Sequence, residues 1–205
     1  FARMPQPKFK PENLSDICRH AVFLEKNRVS DISYDTELLN EDIYIRCDSH
    51  QLGQVLTNIL KNAAESILEH KNETGQNSEP GTIKLCLATE TAAEGHNITI
   101  TIEDNGRGLP TEGRDRLTEP YVTTRKKGTG LGLAIVKKIM EDHDGDLILE
   151  DRDGAANDTK SGARAIMIFR SAKILSENEL SDDTSAQSTE EEPLTTATHL
   201  HAHGS

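Results

Sequence analysis

Gly128-Thr129-Gly130-Leu131-Gly132-Leu133 runs without a break into an apolar pattern, Leu131, Ala134, Ile135, Lys138 and Ile139, that predicts a helix over 130–142. The glycines fit neither G-x-x-x-x-G-K-S/T nor G-x-G-x-x-G, and no strand pattern precedes them, so P-loop and Rossmann folds are excluded. Free amides at a helix start, together with Arg125, Lys126 and Lys127 just upstream, point instead to a backbone that wraps phosphates. The competing reading is a flexible glycine loop with solvated basic residues. The position of the glycines at the helix's opening favours the phosphate.

Upstream, Ile83, Leu85 and Leu87 alternate, as do Ile98, Ile100 and Ile102, which predicts an antiparallel hairpin of two half-buried strands joined over 90–95. Directly after the second strand stands Asp104-Asn105-Gly106-Arg107-Gly108. Such a stretch reads as a turn, because Asn and Gly tolerate positive φ. It also reads as the wall of a flat pocket, with the Asp104 carboxylate accepting from an amino group such as that of adenine.

Further upstream, Leu52, Val55, Leu56, Ile59, Leu60, Ala63 and Ile67 recur at helical spacing and predict the surest helix of the chain, beginning at Ser49. Asn58 and Asn62 project from one side of it, with Glu65 close by. Their amide oxygens suit a hard cation such as Mg²⁺; equally, they fit a polar helix face that happens to carry two Asn. An earlier helix, capped by Asn13 after an irregular arm marked by Pro11, is expected to bury Leu14, Ile17, Ala21, Val22 and Leu24. Short apolar pieces lie at 32–38 and 43–47, and two strands, 146–150 and 163–169, close the domain. Helices and strands segregate into a helical layer on a largely antiparallel sheet.

The composition narrows the function. Lys+Arg 23 against Asp+Glu 35 gives a net charge of −12 over 205 residues, with 3% aromatics, which argues against a nucleic-acid platform. No uncharged stretch is long and apolar enough to cross a bilayer. The three cysteines, Cys18, Cys47 and Cys86, form no C-x-x-C pair, and a reducing compartment is expected. Residues 171–205 carry half of the net charge on a Ser/Thr-rich stretch with no apolar period and read as a solvated tail; its His199, His201 and His203 read as ordinary tail residues rather than a metal site. The chain opens on Phe1 rather than Met, so a piece of a longer protein is expected.

Asn58-x-x-x-Asn62, Asp104-x-Gly106-x-Gly108 and Gly128-x-Gly130-x-Gly132, in this order, resemble the N, G1 and G2 boxes of the ATP-binding superfamily of gyrase, Hsp90, MutL and sensor histidine kinases. The phrases over 51–65 and 119–134, with the opening Phe1-Ala2-Arg3-Met4-Pro5, resemble sensor histidine kinases of the nitrogen-regulation (NtrY) type. The resemblance covers about 1–170 and implies the α/β two-layer sandwich of that superfamily, helices packed on a mixed, mostly antiparallel sheet. It implies ATP with Mg²⁺: Asn62 and Asn58 as metal ligands, Asp104 on the adenine amine with Gly106 and Gly108 shaping its pocket. The backbone of Gly128, Thr129, Gly130, Leu131 and Gly132 would border the phosphates in a mobile segment over 118–131, with Lys126 or Lys127 on the γ-phosphate.

The resemblance further implies a division into 1–12, the remnant of a dimerisation helix and its linker, 13–170, the catalytic domain, and 171–205, an acidic tail. The implied partners are ATP and ADP, the protein's own dimerisation and phosphotransfer domain, and a response regulator, with no nucleic acid; the whole protein would be a membrane-anchored homodimer, this domain cytoplasmic at an inner membrane. Two departures stand out. His143-Asp144 is the only His–acid pair and lacks the pattern around an acceptor histidine, so the acceptor is expected outside this chain, and the aromatic box before the glycines keeps Tyr121 but has Val122. Against this reading stand an ATP-hydrolysing switch, in which Glu65 would serve as base although Asn58 replaces the water-activating Glu, and a nucleotide-sensing module without catalysis.

Overall fold

The computed structural model describes residues 5–74, 79–123, 128–152, 162–176 and 179–180. Residues 5–175 belong to one folded unit; Ser176, Glu179 and Leu180 belong to a second, in which the Ser176 N–H and hydroxyl both donate to Glu179 Oε2 at 3.0 Å.

Helix α1 (Leu14–Arg28) starts where predicted, because Asn13 is extended and its Oδ1 accepts from Ser15 N at 2.9 Å. It buries Leu14, Cys18, Ala21 and Val22, and the next inward position is Glu25, not Leu24. Leu24 is 47% exposed, a correction to the apolar face expected from sequence: the 3.6-residue period carries the buried stripe onto Glu25. That carboxylate, 3% exposed, accepts both Nε and Nη2 of Arg28, so it enters the interior already paired.

The arm before α1 is also more regular than expected. Strand β1 (Lys10–Asn13) pairs antiparallel with β3 (Tyr44–Cys47), Pro11 lying opposite Arg46. A two-stranded ribbon tolerates Pro because each strand has an edge that needs no ladder donor.

Helix α2 (Ser49–Thr74) begins under the Asp48 side chain, whose Oδ1 accepts from Gln51 N at 3.0 Å. All seven apolar residues predicted for its inner face are buried, the Leu, Ile and Val side chains each contributing about 1.5–3 kcal/mol of transfer free energy and Ala63 less. The main sheet has the order β2 (Ile32–Glu37), β4 (Gly81–Thr91), β5 (His96–Asp104), β7 (Ala163–Ala172), β6 (Gly145–Asp151). β4 and β5 form the predicted hairpin and only β2–β4 is parallel. Ile83, Leu85, Leu87, Ile98, Ile100, Ile102, Met167 and Phe169 alternate inward against α2 and α3 (Gly132–Asp142), while Lys84, Glu103 and Arg164 line the opposite face. The result is the expected two-layer α/β sandwich. The folded unit continues past residue 170: β7 ends at Ala172 and Leu175 N donates to Tyr44 O at 2.8 Å. Among the described residues no helix is long and apolar enough to cross a membrane.

Candidate functional site

One strip of α2 organises the site. Asn58 and Asn62 are half-buried on it, and Ser66, four residues further, is 7% exposed. The opening of α3 faces the first of these, since a Cβ built on Gly132 would lie 3.6 Å from Asn58 Oδ1. The loop after β5 closes on the last: a Cβ on Gly106 would come within 2.4 Å of Ser66 Oγ and 2.7 Å of Ile67 N, so only glycine fits, and Arg107 N donates to Ser66 Oγ at 3.2 Å.

Asp104 ends β5 with 6% exposure, and its Oδ1 accepts from Gly106 N at 2.8 Å. Strand and loop therefore fix the carboxylate before any ligand arrives. The turn reading of this segment holds only in part, because the positive φ falls on Gly108 (+81°). Asn105 instead extends the hairpin, its Oδ1 accepting from Thr82 N at 2.7 Å and its Nδ2 donating to Pro80 O at 2.9 Å. Arg107 pairs with Glu69 and Glu73 at 3.4 and 2.5 Å along the end of α2; exposed to this degree, such pairs hold the loop only weakly. Gly108 faces Gly162, whose own Cβ would meet Asp104 O at 2.3 Å. The start of β7 thus lies directly against the Asp104 backbone.

At the other end, Leu131, the N-cap residue of α3, makes no side-chain capping hydrogen bond and the first turn carries no acid, a helix start whose amides suit an anion. Leu131 N donates to Thr129 Oγ1 at 3.4 Å, and Gly130, at φ +67°, accepts from Tyr121 N at 2.9 Å. A Cβ on Gly130 would stand 2.5 Å from Tyr121 C, so this glycine is required by both conformation and space. Tyr121 itself adopts φ 65° and is 70% exposed. Arg125, Lys126 and Lys127 lie outside the described residues.

Two acid–base candidates are otherwise engaged. Glu65 lies 3.9 Å from Lys61 Nζ and within electrostatic reach of Arg28. His143 is buried, with Nδ1 2.9 Å from Ile139 O and Nε2 accepting from Asp48 N at 3.1 Å. Both ring nitrogens being used, it is not an exposed nucleophile. Among the described residues no group of three His, Cys, Asp or Glu side chains is placed to hold a metal ion.

The structure thus brings Asn58, Asn62, Asp104, Gly106 and Gly132 onto or beside one helix strip, with Gly128, Thr129, Gly130 and Leu131 leading into it. Gly108 supports the loop from behind. Ser66 and Gly162 were missed by sequence reasoning; Ser66 was detectable as the third member of the Asn58, Asn62 spacing, whereas Gly162 had no signal beyond a glycine before a strand.

Residues 47–172 match the family model described as histidine kinase-, DNA gyrase B-, and HSP90-like ATPase. The nitrogen regulation protein NtrY of Azorhizobium caulinodans is 45% identical over 151 residues, 74% of this chain and 18% of that protein. A putative sensor histidine kinase, NtrY-like, of Rickettsia bellii is 40% identical over 75% of this chain and 23% of its own length. The chain therefore spans about a fifth of these relatives. Among solved structures, the catalytic domain of the histidine kinase ThkA, in a nucleotide-free form, superposes with a TM-score of 0.61 at 28% identity, covering 79% of this chain and 95% of that one. With the match extending over well more than half of its length, this chain belongs to the histidine kinase-, DNA gyrase B-, and HSP90-like ATPase family.

Proposed function

We propose that this chain is the ATP-binding catalytic domain of a two-component sensor histidine kinase, transferring the γ-phosphoryl group of ATP to a histidine on a separate dimerisation domain. The observation that carries the reading is the two-ended strip on α2, with uncapped α3 amides facing Asn58 at one end and the preset Asp104 carboxylate behind Gly106 at the other. A nucleotide has the matching polarity, a base with an exocyclic amine at one end and polyanionic phosphates at the other.

In this reading Asp104 accepts from the adenine amine, Gly106 and Gly108 shape the base pocket, and the backbone of Gly128, Thr129, Gly130, Leu131 and Gly132 borders the phosphates. The donor chemistry of Asn58 and Asn62, neutral hard oxygens half-buried beside an anion-binding helix start, fits Mg²⁺. Bound there, Mg²⁺ would neutralise charge on the phosphate oxygens, the main demand of phosphoryl transfer. Lys126 and Lys127 are proposed to meet the γ-phosphate on the strength of the resemblance alone. The kinase reading is preferred over hydrolysis because an amide stands at position 58, where hydrolysing members of the superfamily carry the water-activating Glu.

As in its relatives, the domain would act within a longer protein. The residues before β1 would link it to the dimerisation domain and those after Leu175 would form a tail; a response regulator would receive the phosphoryl group, and the parent would be a membrane-anchored homodimer with this domain cytoplasmic at the inner membrane. Calorimetry tests the reading at its root: ADP binding, strengthened by Mg²⁺ in the wild type and lost in Asp104→Asn, is the expected result. No heat with the folded wild type would remove the proposal.

A further inference from the structure

The N-terminal end of α2 meets the C-terminal end of α3, while Asn58 meets the start of α3, so the two helices run in opposite directions between two points of contact. At 1.5 Å per residue each stretch covers about 15 Å. One point is the candidate phosphate end of the site. The other is His143.

The hydrogen bonds define what His143 does. Its Nε2 faces an amide N–H, that of Asp48, and must accept, which leaves Nδ1 to donate to Ile139 O in the last turn of α3. The ring thus stitches the end of α3 to the residue that caps α2. Asp48 holds a third strand of the junction: its Oδ2 accepts from Lys8 N at 2.8 Å, while its Oδ1 takes Gln51 N. Gln51 Nε2 donates to Pro5 O at 3.0 Å, and the Phe9 ring lies 5.0 Å from the His143 ring at a tilt of 56°. Hence the segment preceding β1 is fastened at the junction that fastens α3 to α2.

We propose that His143 is a positioning residue of the nucleotide site, through which the segment at 5–9 is coupled to the opening of α3. The proposal rests on the reading of that opening as the phosphate end of a nucleotide site. Val136, Ile139 and Met140 are fully buried along α3, so displacement of its C-terminal end cannot be absorbed by loose packing and is carried along the helix to Gly132. Movement of the chain upstream of β1, where a dimerisation domain would attach, then changes how the α3 amides stand over Asn58. Coupling of this kind is reciprocal, so nucleotide must in turn tighten the arm.

Amide hydrogen exchange on the whole chain reads that reciprocity. Saturating ADP with Mg²⁺ is expected to slow exchange at the Lys8 and Asp48 amides about fivefold or more beyond any slowing in β2, at the far edge of the sheet. In folded His143→Phe, which keeps a ring against Phe9 but neither hydrogen bond, ADP should bind while this differential response disappears. Phe9→Ala, which leaves the hydrogen bonds of His143 in place, should weaken ADP affinity without disturbing the fold, and it decides the matter together with the wild type if His143→Phe does not fold. Wild-type Lys8 and Asp48 amides that respond to bound ADP no more than β2 would overturn the proposal, as would a full response in His143→Phe or unchanged affinity in Phe9→Ala. Absence of ADP binding to the wild type would overturn both the proposal and the nucleotide reading beneath it.

Discussion

Asp104 is set by its own neighbour, since the Gly106 amide holds one carboxylate oxygen and leaves the carboxylate's direction defined. In Asp104→Asn the amide oxygen can keep that bond, while the NH₂ would replace an acceptor with a donor facing the adenine amine of the proposed complex. Native circular dichroism with ADP affinity down by about 100-fold is expected, the loss of a charge-assisted hydrogen bond. Asn62→Ala should behave differently, weakening ATP binding with Mg²⁺ far more than without it, because in the proposed site the lost group would be a cation ligand; equal losses by calorimetry would assign Asn62 a structural role. Gly106→Ala should lower stability by about 1–3 kcal/mol, seen as a fall in Tm, because the new methyl meets the Ser66 hydroxyl and the Ile67 backbone. At this scale the sequence was readable where a residue type is unusual for its place, as with Asn inside a helix or glycines at its start. It was silent where the meaning lies in a contact across elements, as with Gly162 against Asp104 O or Gly106 against Ser66 Oγ.

Among the elements, α2 was legible because seven apolar residues keep one period, and β4 and β5 because strict alternation survives in both. β1 was not, since Lys10-Pro11-Glu12-Asn13 has no alternation and is a strand only by virtue of β3. The parallel β2–β4 pair escaped for a related reason: neither strand's own pattern specifies a partner on the far side of α2. Where α2 begins, burial acts to raise the pKa of Asp48, but hydrogen bonds from the backbone amides of Lys8, Gln51 and His50 bring it below the ordinary carboxylate value. A folded pKa below the unfolded one means stability that is present above about pH 4 and lost as pH falls through the folded value. Thermal melts of wild type and Asp48→Asn should therefore differ at pH 7 and converge as the pH is taken well below 4.

Across the whole molecule, burial pushes the thiols of Cys18 and Cys47 up to about 12, with Arg19 opposing slightly for the first, and Glu12 and Asp48 adding for the second. Only Cys86 is partly accessible. Burial and the Glu37 carboxylate raise the Cys86 thiol as well, so a disulfide reagent at pH 8 should titrate one thiol ahead of the other two in the native protein, more slowly than a free cysteine, and all three in denaturant; rapid reaction of all three under native conditions would mean that the α1–β3 region opens readily. The two-layer architecture itself was within reach of the sequence, because helices and strands occupy separate runs with separate periods. The central claim, that this fold presents ATP to a histidine carried elsewhere, is tested most directly with radiolabelled ATP and a separately purified upstream dimerisation domain. The account predicts slow labelling of that domain's histidine in trans, diminished in the Lys126→Ala, Lys127→Ala double variant, with no appreciable label or phosphate release from this chain alone. Rapid phosphate release by the isolated chain, stopped by Glu65→Gln and accompanied by no transfer to the added domain, would contradict it.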